Sequence, residues 1–220
     1  MGSLRGFYRS MVGKKAVMGI TGLIGIGFVI LHSLGNLLVF RGPAAINSYS
    51  HFLKSTGELL WALRIILIVA VILHVIAAIQ LTLQSRAARP IGYTKQAPQV
   101  ATPASRTMRW GGALLLVFIV LHILHFTTGT IKPAGVFSPD DVYANVVTSF
   151  RIWWVALFYV VTMIALGLHL FHGAWSSVRS IGVSPASPRP LHHRISLAIA
   201  LLVWAAFTAI PVAVFSGIVR

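Results

Sequence analysis

The sequence predicts an all-α membrane protein, a bundle of five transmembrane helices. Of its 220 residues, 57% are hydrophobic and only 10% are charged. A soluble domain carries about 25% charged residues, so this composition indicates a lipid environment. Five stretches are long and apolar enough to cross a bilayer, which takes roughly 20 residues per helix. They cover about 15–40, 59–83, 109–130, 152–178 and 195–218, so we expect one transmembrane domain over residues 1–220.

The segments between these stretches are short and polar. Residues 1–14 are basic and contain Phe7 and Tyr8, which is typical of a segment at the membrane surface. Prolines break the two connections on the side of the N-terminus, so we expect both connections to be solvated. These prolines are Pro90, Pro98, Pro103, Pro185, Pro188 and Pro190. On the other side, residues 131–150 have room for a short helix along the interface.

The net charge of +15 predicts an orientation rather than a nucleic-acid partner. The basic residues lie at helix ends and in loops and form no continuous stripe, so we expect no binding of nucleic acid. Twelve of the 18 lysines and arginines fall on the side of the N-terminus, and the three acids, Glu58, Asp140 and Asp141, fall on the other. The positive-inside rule then places the N-terminus in the cytoplasm and the C-terminus outside. We therefore expect a multi-pass protein of the cell inner (plasma) membrane.

Four of the five apolar stretches contain a histidine far from their ends: His32, His74, His122 and His169. An ionisable ring is costly in lipid and usually marks a functional site. At 1.5 Å per residue, His32 and His122 fall in the outer leaflet, whereas His74 and His169 fall in the inner one. Each layer offers two imidazoles from two helices, which is the ligand set of a bis-histidine haem. The sequence therefore predicts that the bundle encloses two haem groups.

Two further histidines follow three positions after a predicted ligand. Either His122 or His125 could ligate, and so could either His169 or His172. We favour His122 and His169 because their depths match those of their partners better. For His125 and His172 we expect hydrogen bonds to a haem propionate, a quinone or interfacial water.

Other metal sites suit the sequence less well. The chain has no cysteine, so it holds no iron–sulfur cluster, thioether-linked haem or disulfide. Zinc and copper sites cluster their ligands within a few ångströms, and a di-iron site needs carboxylates inside the bundle. The glycines at 19, 22, 25 and 27 favour the close approach of a flat macrocycle, although ordinary helix packing uses small residues in the same way.

At these residues the chain resembles a known family. This is the five-helix, dihaem cytochrome b subunit of succinate:quinone oxidoreductases and fumarate reductases, the cytochrome b558 type. The resemblance covers nearly the whole chain. It rests on His32 with Asn36, on Asn47, Ser48, His51 and Phe52, on residues 61–74 and 112–122, and on His169, Gly173, Trp175, Ser176 and Gly182.

The resemblance implies a function, a set of ligands and partners. The haem-iron ligands would be His32 paired with His122 and His74 paired with His169. The chain would anchor a flavoprotein subunit and an iron–sulfur subunit in the membrane and pass electrons to menaquinone or another quinone. It would itself carry no flavin or dicarboxylate site. A carboxylate near the start of the second helix takes part in proton exchange in some members, which makes Glu58 and its neighbour His51 the candidates for a quinone site.

Rival functions stay open from the sequence. The closest is a cytochrome b subunit of a hydrogenase or formate dehydrogenase, or a free-standing b561-like electron carrier. A haem-free transporter or assembly protein with structural histidines is a rival of another class. If haem binds, Lys15 and Arg179 are candidate partners for its propionates.

Overall fold

The computed structural model describes residues 4–88, 102–182 and 190–220, and these ranges are helical with no strand. The α-helices are α1 (Leu4–Arg9), α2 (Met11–Asn36), α3 (Pro43–Ser55), α4 (Glu58–Ala87), α5 (Pro103–His122), α6 (Val142–Phe150), α7 (Trp153–Ser180) and α8 (Pro190–Phe215). A 3-10 turn, Leu37–Arg41, extends α2, and a π-helical turn, Ile123–Thr127, extends α5. The predicted solvated connections around Pro90, Pro98, Pro185 and Pro188 lie outside the described residues.

Five of these helices are long and apolar enough to span a membrane. They are Met11–Arg41, Glu58–Ala87, Pro103–Thr127, Trp153–Ser180 and Leu191–Phe215. Each overlaps one of the predicted stretches, which confirms the all-helical fold class and indicates a multi-pass membrane protein. The outer surfaces carry large apolar side chains such as Leu31, Ile72 and Leu202, at 67%, 51% and 71% exposure. Such surfaces are stable against lipid and would aggregate in water.

Helix α7 is the centre of the bundle. It packs against α2, α5 and α8, and α2 packs in turn against α4. Small residues permit the close approaches: a Cβ on Gly19 of α2 would lie 3.3 Å from the carbonyl oxygen of Ser177 on α7. A Cβ on Gly167 of α7 would similarly lie 3.4 Å from Cβ of Trp204 on α8. Close backbone packing of this kind holds membrane helices together in the absence of a hydrophobic driving force.

Two short helices, α3 and α6, pack together over one end of the bundle, which we call the capped end. The Nδ2 amide of Asn47 on α3 donates to Asp141 (3.0 Å), and its Oδ1 accepts from the backbone N–H of Tyr143 on α6 (3.0 Å). Lys54 forms an ion pair with Asp140 at 3.3 Å. The opposite end, where α1 and the start of α2 lie, is the open end. Which end faces the cytoplasm stays a prediction.

The two short helices of the capped end lie between the membrane spans. The helix for which residues 131–150 have room is present as α6, and its residues Val146, Val147 and Phe150 are buried in the core. Helix α3 occupies the segment between the first two spans, where the sequence predicted no helix. Its start follows a common rule, because Pro43 occupies the first turn, where a missing N–H costs nothing.

Candidate functional site

The four deep histidines meet in two pairs. The ring of His32 on α2 lies against that of His122 on α5, with centroids 5.9 Å apart and an interplanar angle of 82°. The ring of His74 on α4 lies against that of His169 on α7, with centroids 6.2 Å apart and an angle of 60°. These are the two combinations that depth along the sequence suggests. That these rings bind iron stays a prediction.

The separation within each pair suits a shared metal ion. An imidazole nitrogen binds a metal at about 2 Å, and the ring centre lies roughly 1 Å behind that nitrogen. Two imidazoles on opposite sides of one ion therefore have their centres about 6 Å apart. The observed values of 5.9 and 6.2 Å match this spacing.

The helices that supply each pair do not pack closely on each other. Within the described residues, α2 and α5 make no extensive backbone contact, and neither do α4 and α7. Each pair of rings therefore reaches across a gap between helices that are held apart by others.

The two pairs lie at different heights in the bundle. Thr21 on α2 is 3.2 Å from Nδ1 of His74, and His32 follows Thr21 by eleven residues, or about 16 Å along the helix. On α7, the hydroxyl of Tyr159 is 3.4 Å from Nδ1 of His122, and His169 follows by ten residues, or about 15 Å. Both helices give the same spacing, with His32 and His122 nearer the capped end.

The tautomer of His74 follows from its partners. Its Nδ1 lies 3.1 Å from the carbonyl oxygen of Met18 and 3.2 Å from the hydroxyl of Thr21. A carbonyl oxygen can only accept, so Nδ1 carries the proton and donates it, which leaves the lone pair on Nε2. A metal-bound histidine is usually held in this way, with its second nitrogen donating to a backbone carbonyl or a carboxylate.

His169 has a different environment. Its Nδ1 is buried and has no hydrogen-bond partner among the described residues. A Cβ on Gly112 would lie 3.7 Å from Cε1 of His169, and a Cβ on Gly22 would lie 3.4 Å from Cε1 of His74. Both rings of this pair are thus flanked by a glycine. An apolar groove of about 280 Å³ between α5 and α7 also reaches His169.

His32 is held by its own helix and by aromatic rings. The Nδ2 amide of Asn36 donates to the carbonyl oxygen of His32 (2.7 Å) and lies 3.3 Å from its Nδ1. Phe28 stacks on the ring with centroids 5.2 Å apart, and Phe207 of α8 lies at 5.7 Å. The pair nearer the capped end is therefore enclosed by aromatic side chains.

The structure assigns His125 to a role that the sequence did not suggest. Its Nδ1 lies 3.0 Å from the hydroxyl of Tyr159, and its Nε2 lies 2.9 Å from that of Ser149. Both ring nitrogens are thus bonded to protein hydroxyls, and the expected propionate, quinone or water is not needed to satisfy them. The reason is local: α5 gives way to a π turn after His122, seen in the bond from Thr128 N–H to the Ile123 carbonyl (3.0 Å).

Among the described residues, no hydrogen bond or ring contact joins the remaining candidates to the paired rings. His172 lies edge-on to Trp175, with centroids 5.8 Å apart. Glu58 and His51 are exposed at the capped end, and among the described residues no hydrogen bond or ion pair joins either to a histidine pair. Of the proposed propionate partners, Lys15 is exposed and Arg179 stacks on Trp175 at 4.8 Å.

Sequence reasoning missed Tyr159, Ser149 and Thr21. Each is a hydroxyl-bearing residue within or beside an apolar helix, and each hydrogen-bonds a histidine of another helix. The available signal was that a polar group in lipid must find a partner. What the sequence could not show is which helix would present that partner.

In comparisons with known proteins, no family model, no curated protein and no solved structure matches this chain.

Proposed function

We propose that this chain is the dihaem cytochrome b membrane-anchor subunit of a succinate:quinone oxidoreductase. It would carry electrons between a docked iron–sulfur subunit and a membrane quinone, with His32 and His122 holding one haem b and His74 and His169 the other. A bound haem supplies reversible one-electron chemistry at its iron. The observation that carries the proposal is the pair of ring–ring spacings, 5.9 and 6.2 Å, each between helices that do not pack on one another.

The donor set favours haem over a bare ion. Within the described residues, no three or more side chains of His, Cys, Asp or Glu converge as metal ligands. Two imidazoles alone fill only part of the coordination sphere of zinc or copper. A haem iron brings four ligands of its own and takes two imidazoles, so each histidine pair completes it. The glycines at 22 and 112 let the rings of His74 and His169 lie close to the neighbouring helices.

The protein's own part is to hold the imidazoles and to set their surroundings. The Met18 carbonyl fixes the His74 tautomer, and the aromatic rings of Phe28 and Phe207 restrict the orientation of His32. Axial ligands, hydrogen bonds to them and apolar burial are the means by which proteins set haem potentials.

Charge supports the choice of partners. All three acids lie at or beside the capped end, so no acidic side chain balances the basic ones at the open end in the described residues. The basic residues there include Arg9, Lys15, Arg86, Arg106 and Arg109. Such a surface favours an acidic partner face, which the iron–sulfur subunit would provide, with the flavoprotein subunit beyond it. The quinone, menaquinone in our proposal, would react near the capped end, where Glu58 and His51 are exposed. The open end would then face the cytoplasm, in an inner (plasma) membrane.

Purification of the tagged chain from its native membrane tests this proposal. We expect flavoprotein and iron–sulfur subunits to co-purify, and succinate to reduce the haem α-band in the purified complex. Co-purification of a hydrogenase or formate dehydrogenase instead would identify the rival respiratory complex. A haem-containing chain without soluble partners would support a b561-like carrier, and a haem-free chain would support a transporter or assembly protein.

A further inference from the structure

A line of hydrogen-bonding groups runs from His122 to helix α6. The hydroxyl of Tyr159 lies 3.4 Å from Nδ1 of His122 and 3.0 Å from Nδ1 of His125. The second nitrogen of His125, Nε2, lies 2.9 Å from the hydroxyl of Ser149. The line therefore joins α5, α7 and α6 through three side chains beyond the predicted ligand.

The protons on this line can be arranged in two directions. In the first, His122 Nδ1 donates to Tyr159, Tyr159 donates to His125 Nδ1, and His125 Nε2 donates to Ser149. In the second, every donor and acceptor is reversed, so His122 Nδ1 accepts and its Nε2 carries the proton. A neutral imidazole binds a metal only through its unprotonated nitrogen, so the two directions decide whether His122 can ligate through Nε2.

The line is rigidly held. Ser149, His125 and Tyr159 are 4%, 6% and 8% exposed, so each polar atom needs its partner. The ring of Tyr159 lies in T-shaped contact with Phe118 at 5.1 Å and with Phe150 at 4.9 Å. Its hydroxyl is thus fixed in place between the two histidines.

We propose that Tyr159 is a positioning residue for His122. Its hydroxyl accepts a hydrogen bond from Nδ1–H of His122 and donates one to His125, which in turn donates to Ser149. Nε2 of His122 is therefore unprotonated and free to bind iron. The inference rests on the proposed function, in which His32 and His122 hold a haem. Two consequences follow: His125 is a hydrogen-bonding partner and not a ligand, and the hydrogen bond from Nδ1 makes His122 a more basic ligand.

Tyr159→Phe tests the proposal, with Tyr143→Phe as its matched control. The Tyr143 hydroxyl donates to the Arg220 carbonyl (2.8 Å), outside the histidine line. We expect both variants to keep two haems per chain. In Tyr159→Phe, His122 becomes a less basic ligand, so the haem that it holds becomes easier to reduce. We expect the equilibrium constant for reduction of that haem to rise up to about tenfold, which raises its reduction potential by roughly 59 mV for one electron. The low-spin ferric signal of that haem should change with it.

The other haem of Tyr159→Phe, and both haems of Tyr143→Phe, should keep the wild-type potentials. Unchanged potentials and ferric signals in Tyr159→Phe would overturn the inference while leaving the proposed function standing. Equal shifts of both haems would also overturn it, because the tyrosine would then act on the whole bundle. A wild-type chain that binds no haem would instead contradict the proposed function itself.

His125→Leu keeps the proposal testable if Tyr159→Phe does not fold. This variant keeps the Tyr159 hydroxyl, which can still accept from His122, and removes the ring that hydrogen-bonds Tyr159 and Ser149. We expect two haems per chain and a changed signal of the same haem. Loss of one haem would identify His125 as the ligand and overturn the proposal.

Discussion

Nδ1 of His74 lies 3.1 Å from the carbonyl oxygen of Met18 on the neighbouring helix α2. This contact joins a side chain to a backbone group, so no substitution of the Met18 side chain removes the acceptor itself. The packing of α2 against α4 therefore fixes the ring and its tautomer together. Anything that moves α2 away from His74 should weaken the site of His74 and His169 before it weakens the bundle.

Gly22→Leu should displace the group held by His74 and His169. A Cβ at this position would already lie 3.4 Å from Cε1 of His74 and 3.3 Å from Oγ of Ser177, so the larger leucine must push the His74 ring aside. We expect one haem per chain instead of two, measured by pyridine haemochrome. Gly22→Ala is the control, since its single Cβ lies near the limit of ordinary contact with His74 and Ser177, and it should keep both haems. Two haems in Gly22→Leu would show that the ring is not placed as described.

Single histidine replacements should reveal the pairing. His74→Leu and His169→Leu should each lose the same haem, and His32→Leu and His122→Leu should each lose the other, because the partners share one iron. Redox titration of the haem that remains shows which of the two haems each variant has lost. His172→Leu is the control and should keep both haems, since its ring packs on Trp175. If His74→Leu and His32→Leu lost the same haem, the pairing would be wrong.

Asp141→Ala should destabilise the capped end at neutral pH but not in strong acid. The N–H of Ala144 and the amide of Asn47 both donate to Asp141 and hold the pKa of its carboxyl below the usual value. Its contribution is therefore complete above the pKa of the unfolded chain and disappears as the pH falls through the lowered folded pKa. Loss of such a helix cap costs about 1 kcal/mol at pH 7.

Thermal unfolding of wild type and of Asp141→Ala, from about pH 2 to about pH 7, checks this prediction, since most aspartate carboxyls of folded proteins titrate within that range. Asp140→Ala is the control, since its ion pair with Lys54 is exposed and contributes roughly 0–1 kcal/mol. A difference between wild type and Asp141→Ala that stays constant over the acidic range would contradict the linkage.

Glu58→Gln should slow quinone reduction without changing haem content. Glu58 opens α4 at the capped end and is exposed, so the amide keeps the fold while removing the carboxylate that would exchange protons. We expect the turnover of succinate to quinone to fall at least several-fold, with succinate still reducing both haems. Normal turnover would remove Glu58 from the quinone site and leave His51 as the remaining candidate there.

The sequence predicted the helical bundle, and the heights that group His32 with His122 and His74 with His169, because both follow from simple periodic geometry. Apolar length determines a span, and 1.5 Å per residue determines the height of each histidine. His32 and His122 lie about four and about two residues outward of the centres of their predicted stretches, and these heights alone suggested that they lie together. The rings do come together in the structure.

The finer features could not be read in this way because they depend on contacts between helices. A regular helix would place His125 about 60° from His122, but the π turn widens that angle and directs His125 towards Tyr159 and Ser149. Helix α3 was missed because its apolar residues are few, and its place depends on hydrogen bonds from Asn47 to residues almost 100 positions later.

Haem per polypeptide in the purified wild-type chain tests the central claim most directly. A pyridine haemochrome assay against a protein determination should give two haem b for each chain. A chain that folds in the membrane with no haem would contradict the account, and the histidine pairs would then be structural contacts between helices.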